Sequence, residues 1–230
     1  MYSDIETHPN KKEELQRSLT FTEQRLLLIR VYTILACQLG FTFGFCFVAF
    51  LWTPLSFIVS QPATVLVSIV SMFISLCMLQ SHRYHSPWNV LLLILFTTSV
   101  SFDVSHIMLR VENQTLILSS IGVTMAIFAT LTFTVHTSKK DYSFLGMWLL
   151  TSTLGFVLFS LVQMLVHSEW LNLLLSWFGT VLFSAYIVYD TSNLIHVYKP
   201  EESVQAAIAL YLDIVNLFLL IMQVLQGSKD

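Results

Sequence analysis

Apolar residues in this chain gather into seven blocks separated by short polar breaks. At ~1.5 Å of rise per residue, about 20 helical residues cross a ~30 Å hydrocarbon core. The blocks are about that long: Leu28 to Trp52, Pro62 to Leu79, Trp88 to Leu109, Leu116 to Val135, Phe144 to Val166, Leu171 to Thr191 and Val204 to Leu225. The short connections predict antiparallel neighbours. The last block is interrupted at mid-length by Asp213, so it is expected either to span or to re-enter. Residues from Met1 to Glu23 are polar and lack the uninterrupted apolar core of a cleavable signal peptide, which leaves the first block to act as its own insertion signal. The chain thus divides into a tail over 1–25 and a single membrane domain over 26–230.

Composition supports the same medium. Hydrophobic residues make up 55% of the chain and charged residues 11%, with a mean hydropathy of +0.72, far from the balance of a soluble domain. The formal charge of −3 lies mostly outside the apolar blocks, and no basic surface interleaved with aromatics is visible, so nucleic acid is not an expected partner. Cys37, Cys46 and Cys77 all fall inside apolar blocks and read as small buried hydrophobes rather than disulfide partners or metal ligands. Gly40 and Gly44 form a small-xxx-small pair, read as a notch for another helix.

Two carboxylates stand out because each is alone in an apolar segment: Asp190 and Asp213. If their segments are helices joined by the polar turn Lys199–Glu202, the turn lies about equally far in sequence from each. The two carboxylates then sit at about the same depth and can face each other. Intramembrane carboxylates are costly and default to function. Two within hydrogen-bonding reach in a low dielectric cannot both ionise cheaply, so the pair is expected to share a proton and titrate jointly, a chemical basis for a pH switch. When both ionise, hard oxygen ligands suit a transient calcium ion. Glu201 and Glu202 complement the dipole of the last helix, and Asp141 is placed to cap the helix that follows it.

The stretches SKKDYSFL from Ser138, YIVYDT from Tyr186 and PEESVQAAIALYLDIVNLFLLIMQVL from Pro200 resemble the transmembrane BAX inhibitor motif (Lifeguard) family. The short tail, the total length and the compact TSNLIHVYKPEE linker favour its Golgi anti-apoptotic branch, found in animals and in some large DNA viruses. The resemblance implies an all-α membrane fold of six helices ringed around a central, C-terminal seventh. It also implies that Asp190 and Asp213 form the pH-sensitive gate of a calcium leak that lowers the releasable calcium of a Golgi or endoplasmic reticulum store and inhibits apoptosis. Calcium is then the permeant ion, no cofactor is needed, and other membrane regulators of calcium release or apoptosis are candidate partners. Arg83 is the position implied for a basic gating partner. Where related Golgi proteins carry a glutamate in the third helix, this chain has Val100, and Asp103, about one turn later, is the candidate substitute, with His106 near enough in sequence to share its proton.

Two other functions fit parts of the pattern. An intramembrane aspartyl protease also places a Tyr-Asp aspartate and a second aspartate on consecutive helices, and Tyr189-Asp190 fits the first half. Leu210, Tyr211 and Leu212 stand where that class needs glycines, and no Pro-Ala-Leu motif follows. No serine-protease, zinc, Walker or dinucleotide motif is present. A pore-less scaffold would keep the fold without needing ionisable aspartates. The expected function is therefore a channel or regulator and not an enzyme.

Orientation follows from the basic residues, because positive loops stay in the cytoplasm. With the N-terminus inside, Lys11, Lys12, Arg17, Arg25, Arg30, Arg83, Lys139, Lys140 and Lys199 are cytoplasmic, and Arg110 stands on the other side. His82 and His85 then belong to a basic cytoplasmic loop, and the Asn113-Gln114-Thr115 sequon to a short non-cytoplasmic one. Cysteines engineered at Ser3 and Ser203 are expected to react with impermeant maleimide from the cytoplasmic face of sealed vesicles. Labelling of position 203 from the luminal face would overturn the shared cytoplasmic turn.

Overall fold

The computed structural model describes residues 9–81, 88–138 and 140–228, with side-chain environments from residue 22 onward. Its helices are α1 (Pro9–Leu51), α2 (Thr53–Ser60), α3 (Pro62–Ser81), α4 (Trp88–Met108), α5 (Gln114–Ser138), α6 (Leu145–Val166), α7 (Glu169–His196) and α8 (Ser203–Gly227), with a 3₁₀ turn over Pro200–Glu202 before α8. Seven of them are long and apolar enough to cross a membrane, α1 over its Thr22–Leu51 stretch. These spans match the seven apolar blocks to within a few residues at most ends. Two features were not anticipated: α1 begins well before the membrane block, and the first connection folds into the short helix α2.

Proline and small polar residues set the helix boundaries. Pro54 and Pro62 occupy the first turns of α2 and α3, where a missing N–H costs nothing. The Asn113 side chain accepts the Thr115 N–H at 3.0 Å at the start of α5. The Ser168 hydroxyl caps α7, and His167, at φ 52°, makes the tight reversal out of α6. Asp141 accepts the Ser143 N–H at 2.8 Å in the turn before α6, but it does not cap that helix as expected, because the N-cap position falls on Phe144, which makes no side-chain cap bond. That bond holds the exposed Asp141 carboxyl below its ordinary value, so its contribution is present above the usual carboxylate range and is lost as pH falls through the lowered value. Tyr142 N–H, next in sequence, donates to Ser192 Oγ at 2.9 Å and ties this turn to α7.

α8 stands at the centre. It packs against α1, α4, α5 and α7, while α3 sits mainly on α4 and α6 mainly on α7. The burial pattern says the same: 67% of the most apolar window of α8 is enclosed by protein, against 6% for α6. α8 is one continuous helix of 25 residues, with no break at Asp213. The choice between a spanning and a re-entrant segment therefore falls to a helix long enough to span, about 37 Å at the usual rise.

α1 and α4 share a polar seam. Gln38 bonds Thr97, Ser101 bonds Thr42, and Ser105 bonds Cys46 Sγ, each pair 59 residues apart. A constant separation over steps of four residues means that the two helices run in the same direction in register, one polar contact per turn. Tyr211 OH joins from α8 at 2.8 Å from Thr42 Oγ1. Many other hydroxyls turn back on carbonyls one turn earlier, as Thr98 does on Ile94 and Thr130 on Ala126, which keeps them satisfied without water, while those of Tyr32, Thr132 and Thr191 are buried without a partner.

Two sequence expectations are corrected here. Cys46 is buried, but Cys37 and Cys77 face outward, because an apolar segment in lipid has an outside that is as apolar as its inside. Gly40 and Gly44 also face away from the bundle, and a Cβ added at either would meet nothing within 4 Å, so no helix among the described residues uses that notch. The close approach occurs at Gly179 on α7, where a Cβ would come to 2.9 Å from Leu220 Cδ1 and Phe156 Cε2. Gly179→Ala is therefore expected to lower stability by about 1–3 kcal/mol, as overpacking does. Gly44→Ala is expected to leave stability unchanged or slightly raised. Unfolding titrations in mixed micelles measure both, and equal effects would contradict the packing of α7 between α6 and α8.

Candidate functional site

α7 and α8 meet as an antiparallel pair across the 197–202 turn. Lys199 N–H donates to Glu202 Oε2 at 3.1 Å, and Asn193 O accepts both Val197 N–H and Tyr198 N–H, which closes the end of α7. This register brings Asp190 and Asp213 together, with their carboxyls close enough to share a proton. Asp213 is only 5% exposed, on a helix whose neighbouring residues Leu210, Tyr211 and Ile214 are also buried. Its Oδ2 is buried without a partner. A carboxyl–carboxyl bond requires a proton between the two groups, so the pair holds at most one negative charge while the bond lasts.

Two residues that the sequence reading did not single out complete the surroundings. Asn193 lies almost one turn beyond Asp190 on the same helix, is buried, and is close enough for its side chain to favour the charged form of Asp190 electrostatically. The signal for it was present, since an amide three residues from a lone carboxylate in an apolar helix shares its face. Tyr198, in the turn, lies close enough to feel both carboxylates. Burial, followed by the Asp190 charge, pushes its hydroxyl up to about 12, so it remains a neutral phenol beside the pair. Nothing in the local sequence marked Tyr198, because its position depends on how the turn folds back.

A cavity of about 260 Å³ opens beside Tyr198 at this end of the bundle, lined by Leu76, Gln80, Tyr198, Glu202, Gln205 and Ile208 among others. Both polar atoms of the Gln205 amide are buried there without partners. Glu202 therefore does more than complement a dipole, since it closes the turn and lines this cavity.

The other candidate residues are not gathered to the pair. Asp103 is half-buried and accepts a hydrogen bond from Ser68 Oγ on α3. His106 is buried, and its Nδ1 lies 2.9 Å from the Val59 carbonyl of α2, which can only accept, so Nδ1 carries the proton. Asp103 and His106 are thus tied to different partners near the opposite end of the bundle. Val100 is packed in the apolar core, while Asp103 is half-buried and turned to Ser68 of α3, so the two side chains have different surroundings. Arg83, with His82 and His85, lies outside the described residues. Among the described residues no group of three or more His, Cys, Asp or Glu side chains comes together. Two carboxyls and one amide are far fewer than the six to eight oxygens of a resident calcium site.

Sequence comparisons agree with this architecture. The family model "Inhibitor of apoptosis-promoting Bax1" matches residues 24–230. The Golgi anti-apoptotic protein of Vaccinia virus (strain Lister) is 36% identical over 174 residues, covering 76% of this chain and 73% of that protein. Protein lifeguard 4 of Mus musculus is 33% identical over 207 residues, covering 87% and 84%. Bax inhibitor 1 of Schizosaccharomyces pombe is 34% identical over 202 residues, covering 86% and 75%. A match across all seven spans, the paired aspartates included, makes this multi-pass membrane protein a member of the anti-apoptotic BAX inhibitor (Lifeguard) family.

Proposed function

We propose that this protein is a pH-sensitive calcium leak channel that lowers the releasable calcium of an intracellular store and so restrains apoptosis, with Asp190 and Asp213 as its gate. The observation that carries this reading is the buried carboxyl–carboxyl contact. A shared proton holds α7 to α8, and its loss leaves two like charges in a low dielectric that either separate or recruit a cation. The cavity beside Tyr198, with its unpartnered Gln205 amide, supports a water-accessible approach to the gate from the end of the bundle where the α7–α8 turn lies. By the Lys and Arg count that end is cytoplasmic, and the Golgi name of the viral relative favours a Golgi or endoplasmic reticulum membrane. Asp103, bonded to α3, belongs in this reading to the opposite mouth.

The protease reading draws no support from the surroundings of Asp213. Leu210 and Tyr211 are fully buried beside it, so a peptide has no cleft by which to approach the carboxyl. If a co-expressed membrane substrate is cut by the parent protein and spared by Asp213→Asn, the channel assignment fails.

The direct test is calcium entry into dye-loaded proteoliposomes across pH ~5 to 8 for the parent, Asp190→Asn, Asp213→Asn and the double variant. One unit of coupling between two protonation states is worth ~1.4 kcal/mol, about tenfold in the open population. The parent flux is expected to change by that order across the range. Each single variant is expected to shift or simplify the profile, and the double variant to flatten it. A double variant that keeps the parent profile removes the aspartates as the sensor.

A further inference from the structure

α7 begins where α8 ends, at the end of the bundle opposite the 197–202 turn, and a cavity of about 410 Å³ lies between the two termini. Glu169, Trp170, Asn172 and Leu173 line it from α7, and Gln223 and Gln226 line it from α8. The last turn of α8 rests on this wall, since a Cβ added at Gly227 would come 3.2 Å from Leu173 Cδ1. Ser176 Oγ donates to Gln223 Oε1 at 2.9 Å and holds that side chain against α7. Glu169, Asn172, Gln223 and Gln226 are all exposed, so a molecule in the cavity can reach their polar groups.

The lining selects its occupant by charge. It holds one carboxylate, three uncharged amides and, among the described residues, no basic group. Nothing among the described residues hydrogen-bonds or pairs with the Glu169 carboxylate. The carbonyl end of α8 adds negative potential, while the first N–H groups of α7 and the amide N–H groups offer donors beside it. Such a site suits a group that carries a positive and a negative charge side by side.

Depth and shape point to where that group comes from. Both termini lie where the spans end, at the level of the headgroups. Trp170 begins an exposed apolar row on α7, continued by Leu174, Trp177 and Val181, which runs about 16 Å at the usual rise, the depth of one leaflet. An acyl chain can lie along this row while its headgroup occupies the cavity, whose volume is within the range of small-molecule sites. A headgroup of net negative charge, whether it lacks an amine or adds a carboxylate, meets Glu169 as a like charge. A trimethylated ammonium donates no hydrogen bond and is held by cages of aromatic rings, whereas this cavity has one ring, Trp170. A primary ammonium next to a phosphodiester satisfies both kinds of wall.

We propose that the cavity between the start of α7 and the end of α8 binds the headgroup of a phosphatidylethanolamine, with its ammonium on Glu169 and the carbonyl end of α8, its phosphate on the amide N–H groups, and a chain along the row from Trp170 to Val181. This site is at the far end of the α7–α8 pair from Asp190 and Asp213 and does not depend on their role.

The test is a lipid titration of the full chain in detergent micelles, read by native mass spectrometry, with palmitoyl-oleoyl phosphatidylethanolamine, phosphatidylcholine and phosphatidylglycerol. The ethanolamine lipid is expected to bind roughly tenfold more tightly than either of the others, the difference that one charge-assisted hydrogen bond makes. Glu169→Gln should bring it level with the choline lipid and change the melting temperature little, because the residue is exposed. Glu169→Lys should reverse the order in favour of the glycerol lipid, which a merely structural role for Glu169 would not do. Glycerophosphoethanolamine, which has the headgroup without chains, should leave the bound lipid in place at the same concentration. Equal binding of the three lipids by the parent, an unchanged order in Glu169→Lys, or displacement by the chainless headgroup would each overturn the proposal.

Discussion

A polar group inside hydrocarbon can bond only to what the protein itself brings to it, and the helices of this molecule are arranged around that constraint. The backbone meets it by being helical across each span. The side chains meet it in three ways. Isolated hydroxyls fold back on carbonyls of their own helix. The α1–α4 seam pairs polar side chains turn by turn, with Tyr211 of α8 joining at Thr42. The two carboxyls, which no hydroxyl network would satisfy at comparable strength, are placed against each other and against Asn193.

The central position of α8 follows from the same constraint. A helix carrying both Asp213 and Tyr211 exposes a polar group on more than one face, so no orientation on the periphery would hide them all from lipid. Enclosure by α1, α4, α5 and α7 gives each face a partner. Small residues permit that enclosure at the tightest point: Gly179 lets Leu220 and Phe156 close against α7. α6 has no comparable polar burden between its ends and sits outermost, with most of its surface left to lipid.

The pair suits the gate we propose because its contact depends on a proton. With the proton present, Asp190 and Asp213 contribute to the α7–α8 contact. Without it, the same two groups repel in a medium that screens them weakly. The turn residues add to this, since Tyr198 stays neutral beside the pair and Gln205 lines an adjoining cavity. Asp103 is differently placed, against α3 at the other end of the bundle, where it meets the seam of α3 and α4 rather than the aspartate pair.

The sequence by itself determined the medium, the number of spans and the meeting of Asp190 with Asp213. Each of these depends on composition and on distances along the chain, which a helix converts directly into depth. Its motifs also carried the family. What only the tertiary structure decided is which side of each helix faces protein. In a bilayer the lipid-facing and core-facing sides are equally apolar, so hydropathy does not separate Cys46 from Cys37, or Gly179 from Gly44. For the same reason Asp103 was placed on the face of Val100 by spacing alone, and only the packing of α3 against α4 turned it to Ser68. The approach of Tyr198 to the aspartates, and the cavity that Glu169 shares with Gln226, depend on contacts between residues far apart in the chain, for which no local pattern exists to be read.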